Sequence, residues 1–93
     1  MKEERFLEIA RAVSDPTRFA ILSRIAQAGP EFACANLTQC MEITPATISH
    51  HVKELSAAGL IEGRKEGKFT FYKVNQASWS EYLKELSRRV PTA

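Results

Sequence analysis

The sequence predicts a mainly α-helical fold with a small β-hairpin near its C-terminal end. Apolar residues recur at helical spacing in several segments, which is typical of amphipathic helices. Two pairs, Asp15-Pro16 and Thr44-Pro45, combine an N-capping residue with a proline, as at the start of a helix. A later segment alternates apolar and polar residues around a glycine, as a hairpin does. The length suffices for one domain, and we expect residues 1–93 to form it.

Two amphipathic helices are predicted in the N-terminal third of the chain. The apolar face of the first helix consists of Phe6, Ile9, Ala10 and Val13. The second helix begins at the Asp15-Pro16 pair and ends before Gly29-Pro30. Its apolar stripe consists of Ile21, Leu22, Ile25 and Ala26. Each helix therefore has one side that can be buried.

A minimal strand and a short helix are predicted next. Residues 31–35 alternate weakly, which favours a very short strand. Asn36 and Gln39 resemble a capping box, so we expect a short helix at this point. The apolar residues of this helix are Leu37, Cys40 and Met41.

A fourth helix is predicted over residues 44–58, because Gly59 suits the left-handed position that follows a helix. The pattern then changes to the alternation of a pleated strand. Two strands are predicted within residues 60–74, Leu60–Lys65 and Lys68–Val74, on either side of the turn signal Glu66-Gly67. This change of period predicts the hairpin.

A C-terminal helix is predicted from the capping box of Ser78 and Glu81 to Pro91. Its apolar face consists of Trp79, Tyr82, Leu83, Leu86 and Val90. The complete order is ααααββα. Two short helices with a tight connection, followed by a two-stranded ribbon, form the outline of a winged helix-turn-helix, which is a DNA-binding fold.

The helix over residues 44–58 has the two faces that a recognition helix needs. At 100° per residue, Ile48, Val52 and Leu55 share one face and can pack inside the protein. The opposite face is small, polar and basic, and consists of Ala46, Ser49, His50, Lys53 and Ala57. His51 lies at the border of the apolar face, and we expect it to be packed and hydrogen-bonded rather than a DNA contact.

The outward face of this helix suits the major groove, which is about 12 Å wide. Ala46 can contact a thymine methyl group, Ser49 and His50 can bond base edges, and Lys53 can reach guanine or phosphate. The first turn adds backbone N–H groups and the positive end of the helix dipole. The predicted DNA contacts in this helix are Pro45, Ala46, Thr47, Ser49, His50 and Lys53. The alternative is an ordinary solvated helix face.

The hairpin carries three cations near its tip, Arg64, Lys65 and Lys68. Residues 44–75 contain five basic and three acidic residues, so the formal net charge of +2 is concentrated in this segment. We expect the three cations to contact the phosphate backbone or the minor groove. The alternative is a charged edge that prevents aggregation of the sheet.

Several stretches of the sequence resemble the ArsR/SmtB family of bacterial regulators. The first three are Val13-Ser14-Asp15-Pro16-Thr17-Arg18, Ile48-Ser49-His50-His51-Val52-Lys53-Glu54-Leu55 and Ala58-Gly59-Leu60-Ile61. Arg64-Lys65-Glu66-Gly67-Lys68 and Phe71-Tyr72 follow in the family's order. The resemblance implies a homodimeric repressor on a palindromic DNA operator, with the helix over residues 44–58 in the major groove.

The same resemblance implies that the first and last helices form the dimer interface. Their apolar stripes support this independently, because one small domain can hardly bury both. The predicted interface residues are Phe6, Ile9, Val13, Trp79, Tyr82, Leu83 and Leu86.

The sequence leaves the effector unknown. A Cys-Val-Cys metal site of the family is replaced here by Ala33-Cys34-Ala35, and the C-terminal helix has no His, Asp or Cys for the other familiar site. We therefore expect no metal and no cofactor. A redox response through Cys34 and Cys40 is an alternative, as is simple packing of both thiols in the interior.

Other functional classes receive little support. Ser49 and His50 are adjacent on a helix and are not aligned for proton transfer, so we expect no enzyme. No apolar run approaches the ~20 residues that span a bilayer, and no signal peptide is evident. We expect a cytoplasmic protein without a membrane partner. A winged-helix protein-interaction module stays an alternative to the DNA-binding interpretation.

Overall fold

The computed structural model describes residues 1–29, 32–33, 37 and 41–93. Four helices are described in full: α1 (Glu3–Ser14), α2 (Pro16–Ala28), α3 (Pro45–Ala57) and α4 (Gln76–Arg89). The strands are β1 (Phe32–Ala33), β2 (Ile61–Glu66) and β3 (Phe69–Val74). Of the short helix predicted before α3, only Leu37 and Met41 are described, and both are helical. The predicted winged helix-turn-helix is thereby confirmed.

The two predicted cap-and-proline helix starts are both formed. A carboxylate oxygen of Asp15 accepts a hydrogen bond from the backbone N–H of Arg18, with an N···O distance of 2.8 Å. The hydroxyl of Thr44 accepts one from the N–H of Thr47 at 3.2 Å. A side-chain oxygen at this position satisfies an N–H group that has no partner within the helix.

The N-cap predicted for the C-terminal helix, Ser78, was wrong by three residues. Helix α4 begins at Gln76, and the Asn75 side chain caps it by accepting a hydrogen bond from the N–H of Ser78 at 3.2 Å. The backbone N–H of Asn75 also donates to the carbonyl of Leu60 at 2.8 Å. Asn75 therefore ends the sheet and starts the helix, so no separate loop precedes Ser78.

The hairpin turn lies one residue later than predicted. Strands β2 and β3 are antiparallel with Glu66 opposite Phe69, so Gly67 and Lys68 form a two-residue connection. Gly67 has a φ of 61°, a left-handed conformation that glycine adopts without steric cost. Strand β1 pairs with the other edge of β3, which gives a three-stranded sheet in the order β1-β3-β2. The predicted minimal strand is thereby confirmed.

The core forms where the apolar faces of the helices meet the base of the sheet. Helix α3 contributes Ile48, Val52 and Leu55, the three residues predicted for its inward face. The other core residues are Phe6, Ile9, Ala12, Ile21, Leu22, Ile25, Leu37, Ala58, Leu60, Ile61, Val74 and Tyr82. This packing fixes the rotation of α3 about its own axis, and hence which of its side chains face outward.

Some predictions fall outside the described residues. These are the capping box of Asn36 and Gln39 and the cysteines Cys34 and Cys40. In the part of the chain that the structure describes, no helix is long and apolar enough to cross a membrane.

Candidate nucleic-acid interface

The outward face of α3 is the first component of the site. Every residue predicted for this face is exposed: Ala46, Ser49, His50, Lys53 and Ala57. Because Ile48, Val52 and Leu55 hold the opposite face in the core, the exposed face is small, with one imidazole and one ammonium group. Such a surface can approach the floor of a groove closely. Contact with DNA stays a prediction for each of these residues.

The first turn of α3 offers fewer backbone donors than predicted. The N–H of Thr47 is bonded to the Thr44 hydroxyl, and the N–H of Ile48 donates to the Thr44 carbonyl at 3.1 Å. Pro45 has no N–H group. The N–H of Ala46 is therefore the first-turn donor that the helix itself does not use. The residues on either side of it, Pro45 and Thr47, are both exposed.

His51 is packed as predicted, since its side chain is 13% exposed. Its Nε2 atom lies 4.0 Å from Oδ2 of Asp15. Its Nδ1 atom is buried and has no hydrogen-bond partner among the described residues, so the predicted hydrogen bond is not formed at this atom within the described part of the chain. The pKa of Asp15 is lowered chiefly by the hydrogen bond from the Arg18 N–H, and less by the charges of His51 and Arg18.

The hairpin is the second component of the site. Residues 62–69 are all exposed, so the tip extends beyond the core. The Arg64 side chain lies 3.2 Å from the Glu66 carboxylate, and its guanidinium carbon lies 5.1 Å from the Phe71 ring centroid. The Lys68 ammonium lies 5.6 Å from the Phe69 ring centroid. Lys65 is exposed between Arg64 and Glu66 in sequence and projects from the other face of β2.

Part of the predicted dimer interface was assigned wrongly. Phe6, Ile9 and Tyr82 are buried within the single chain, so their side chains leave almost no surface for a partner. The Phe6 and Tyr82 rings pack against each other with centroids 5.3 Å apart. Val13 and Trp79 are partly buried against the core.

Leu83 and Leu86 on α4 remain exposed, as an interface requires. The predicted interface did not include two further exposed apolar residues, Leu7 on α1 and Val90 just after α4, although Val90 was predicted to lie on the apolar face of that helix. Leu7 is a large apolar residue that does not belong to the apolar face predicted for α1. Its position outside that face is the sequence signal that could have identified it as an exposed interface residue. We define the terminal-helix patch as Leu7, Leu83, Leu86 and Val90.

The fold and the two exposed components define the class of this protein: a winged helix-turn-helix DNA-binding regulator. Residues 13–64, more than half of the chain, match a family model described as a helix-turn-helix domain. An uncharacterized HTH-type transcriptional regulator of Methanocaldococcus jannaschii is 37% identical over 83 residues, which are 89% of this chain and 92% of that protein. The arsenical resistance operon repressor of Bacillus subtilis is 31% identical over 75 residues, 81% of this chain and 70% of the repressor.

Solved structures agree with the sequence matches. An ArsR-like transcriptional regulator from Rhodococcus sp. RHA1 is 26% identical with a TM-score of 0.79, over 91% of this chain and 78% of that chain. A homodimeric winged helix-turn-helix domain from Mycobacterium bovis has the same fold, with a TM-score of 0.75 and 21% identity, over 96% and 83% of the two chains. The chain belongs to the ArsR/SmtB family of helix-turn-helix transcriptional regulators.

Proposed function

We propose that this regulator is a repressor that binds a palindromic operator as a homodimer. Helix α3 enters the major groove, and the hairpin lies along the phosphate backbone or in the minor groove. The observation that carries the proposal is the exposed face of α3, with Ala46, Ser49, His50 and Lys53 opposite a buried apolar face. The names of relatives, among them the transcriptional repressor SdpR of Bacillus subtilis at 31% identity, support repression.

The chemistry of the α3 face favours base contacts in the major groove. The methyl group of Ala46 suits a thymine methyl, and the Ser49 hydroxyl can donate to or accept from a base edge. His50 and Lys53 lie within the next turn, where they can donate to guanine acceptors or to phosphate. None of these four side chains is acidic, and the Lys53 ammonium can neutralise a phosphate.

The terminal-helix patch supports the dimer. Its four members are large apolar side chains with more than two fifths of their surface exposed, and they come from the two ends of the chain. A two-fold axis through this patch would repeat α3 on the partner. Two recognition helices about 34 Å apart, or a multiple of that, match two half-sites of a palindrome. The homodimeric winged helix-turn-helix domain from Mycobacterium bovis is consistent with this arrangement.

Operator binding by matched variants tests the proposal. DNA upstream of the chain's own gene is footprinted and titrated with the parent, Lys53→Glu and His50→Ala. Both variants should weaken specific binding without unfolding the domain. Lys84→Glu, an equal change of charge on an exposed residue of α4, should leave binding unchanged. Operator affinity equal to the parent's in both α3 variants would show that α3 does not read the DNA.

The proposal assigns the protein no catalytic role and places it in the cytoplasm, where an operator is accessible. The protein-interaction module becomes the better interpretation if the parent shows no salt-dependent retention on heparin.

A redox response through Cys34 and Cys40 stays a prediction. Its test is the operator affinity of Cys34→Ser with and without oxidant, and an equal response of variant and parent would exclude a sensory role for Cys34.

A further inference from the structure

Phe69 is an exposed aromatic residue at the tip of the hairpin. It is the first residue of β3, lies opposite Glu66 across the turn, and has 47% of its surface exposed. All residues from 62 to 69 are exposed, so no part of the core reaches this ring. Nearly half of the surface of a large apolar side chain is therefore left exposed at a protruding tip.

One cation lies beside Phe69, and a second lies on the other face of the hairpin. The Lys68 ammonium is 5.6 Å from the ring centroid, next to the turn. Lys65 pairs with Thr70 and therefore projects from the other face, whereas the residue opposite Phe69 is Glu66, whose carboxylate lies 3.2 Å from Arg64. An apolar ring at a tip that carries an ammonium group on each face suits a side chain that enters a groove between two phosphate strands.

The packing of the hairpin accounts for Phe69 only in part. Phe71 lies two residues further along β3, on the same face. Arg64 is directly opposite Phe71, and its guanidinium carbon lies 5.1 Å from the centroid of the Phe71 ring. The Phe69 ring lies 6.4 Å from Phe71, at the outer side of this pair. A threonine at position 69 would suit a strand equally well.

We propose that Phe69 is an apolar wedge that enters the minor groove at the flank of each operator half-site. Lys68, beside the ring, and Lys65, on the other face of the hairpin, neutralise phosphates of the two strands that border the groove. The inference rests on the proposed function and adds a source of sequence preference. Pyrimidine–purine steps such as TA unstack easily, whereas A-tracts are stiff, so the wedge favours operators with a flexible flanking step.

A set of operators in which one TA step is moved through an A-tract flank tests the wedge. The parent should bind best with the TA step at one flanking position, by about 10-fold over the uninterrupted A-tract. Phe69→Thr should lose this preference and bind the best operator about 10-fold more weakly, with an unchanged dependence of affinity on salt. The matched control Lys68→Ala should keep the preference and lose about one phosphate contact from the salt slope.

Three outcomes would overturn the wedge. They are an unchanged step preference in Phe69→Thr, an equal loss on all operators, and a salt slope lowered as in Lys68→Ala. The last two would mean that the ring only stabilises the hairpin or orients Lys68.

If thermal unfolding shows a damaged hairpin in Phe69→Thr, the same titrations use Phe69→Leu, which should retain part of the preference. A parent that binds no operator at all contradicts the proposed function itself, whereas parent-like binding by Phe69→Thr contradicts the wedge alone.

Discussion

The imidazole of His51 lies against the carboxylate of Asp15, with 4.0 Å between Nε2 and Oδ2. His51 belongs to α3, whereas Asp15 caps α2 and ends α1. Arg18 reinforces this junction, because its Nε atom donates to the carbonyl of Ala12 in α1 at 2.6 Å. The candidate recognition helix therefore contacts the point where α1 and α2 meet, in addition to packing with α1 in the shared core.

The acid stability of the protein should depend on Asp15. The pKa of Asp15 is lowered, chiefly by the hydrogen bond from the Arg18 N–H. A carboxylate with a lowered folded pKa stabilises the protein above its ordinary pKa of about 3.9, and this stabilisation is lost as the pH falls through the folded value. Asp15→Asn can still cap α2 but does not titrate. Urea midpoints of the variant should fall less steeply below about pH 5 than those of the parent, and parallel curves would contradict this.

The cap of α3 should contribute measurably to stability. Thr44→Ala removes the hydroxyl that accepts from the Thr47 N–H, and we expect a loss of about 1 kcal/mol in the free energy of unfolding. Thr44→Ser keeps the hydroxyl and should stay close to the parent. Chemical denaturation of the three proteins measures the effect, and equal values for Ala and Ser would mean that solvent replaces the cap.

The three cations of the hairpin should differ in their contribution to DNA binding. Arg64 is held by Glu66 and Phe71, whereas no contact of that strength is described for Lys65 or Lys68. Lys65→Ala and Lys68→Ala should each lower the slope of log affinity against log salt by about 0.9. Arg64→Ala should lower it less.

The control for this series is Lys73→Ala, because Lys73 is near the base of the hairpin and lies 3.8 Å from the Glu62 carboxylate. Its salt slope should equal the parent's. Equal losses in the slope for Arg64→Ala and Lys65→Ala would show that DNA breaks the contact between Arg64 and Glu66.

The elements that local chemistry determines could be predicted from the sequence. Asp15 and Thr44 each carry a side-chain oxygen and precede a proline, and each caps its helix. These two features can be recognised from the pairs Asp15-Pro16 and Thr44-Pro45 alone. The two faces of α3 followed from the helical period, since Ile48, Val52 and Leu55 can be buried together on one side only.

Tertiary contacts and strand register determine the rest, and these were not visible in the sequence. Tyr82 and Leu86 belong to one apolar stripe of α4, yet the chain buries Tyr82 against Phe6 and leaves Leu86 exposed. Arg64 was assigned the same role as Lys65, because only the register shows that Arg64 faces Phe71.

The oligomeric state should depend on the terminal-helix patch. Leu86→Glu places a carboxylate in the centre of the apolar surface that α4 presents, and association would bury this charge without a partner. We expect a cost of at least about 3 kcal/mol in the free energy of association, which is more than a hundredfold in the dimer Kd. Sedimentation velocity should show monomers for Leu86→Glu at concentrations where the parent is a dimer.

The same experiment separates the interface from a general effect of charge. Lys84 lies about 160° from Leu86 around α4 at 100° per residue, so Lys84→Glu should remain a dimer. The monomeric variant should also lose most of its operator affinity, because a single α3 contacts only one half-site. An intact Leu86→Glu dimer would place the two-fold axis on another surface, and a monomeric parent would contradict the homodimer itself.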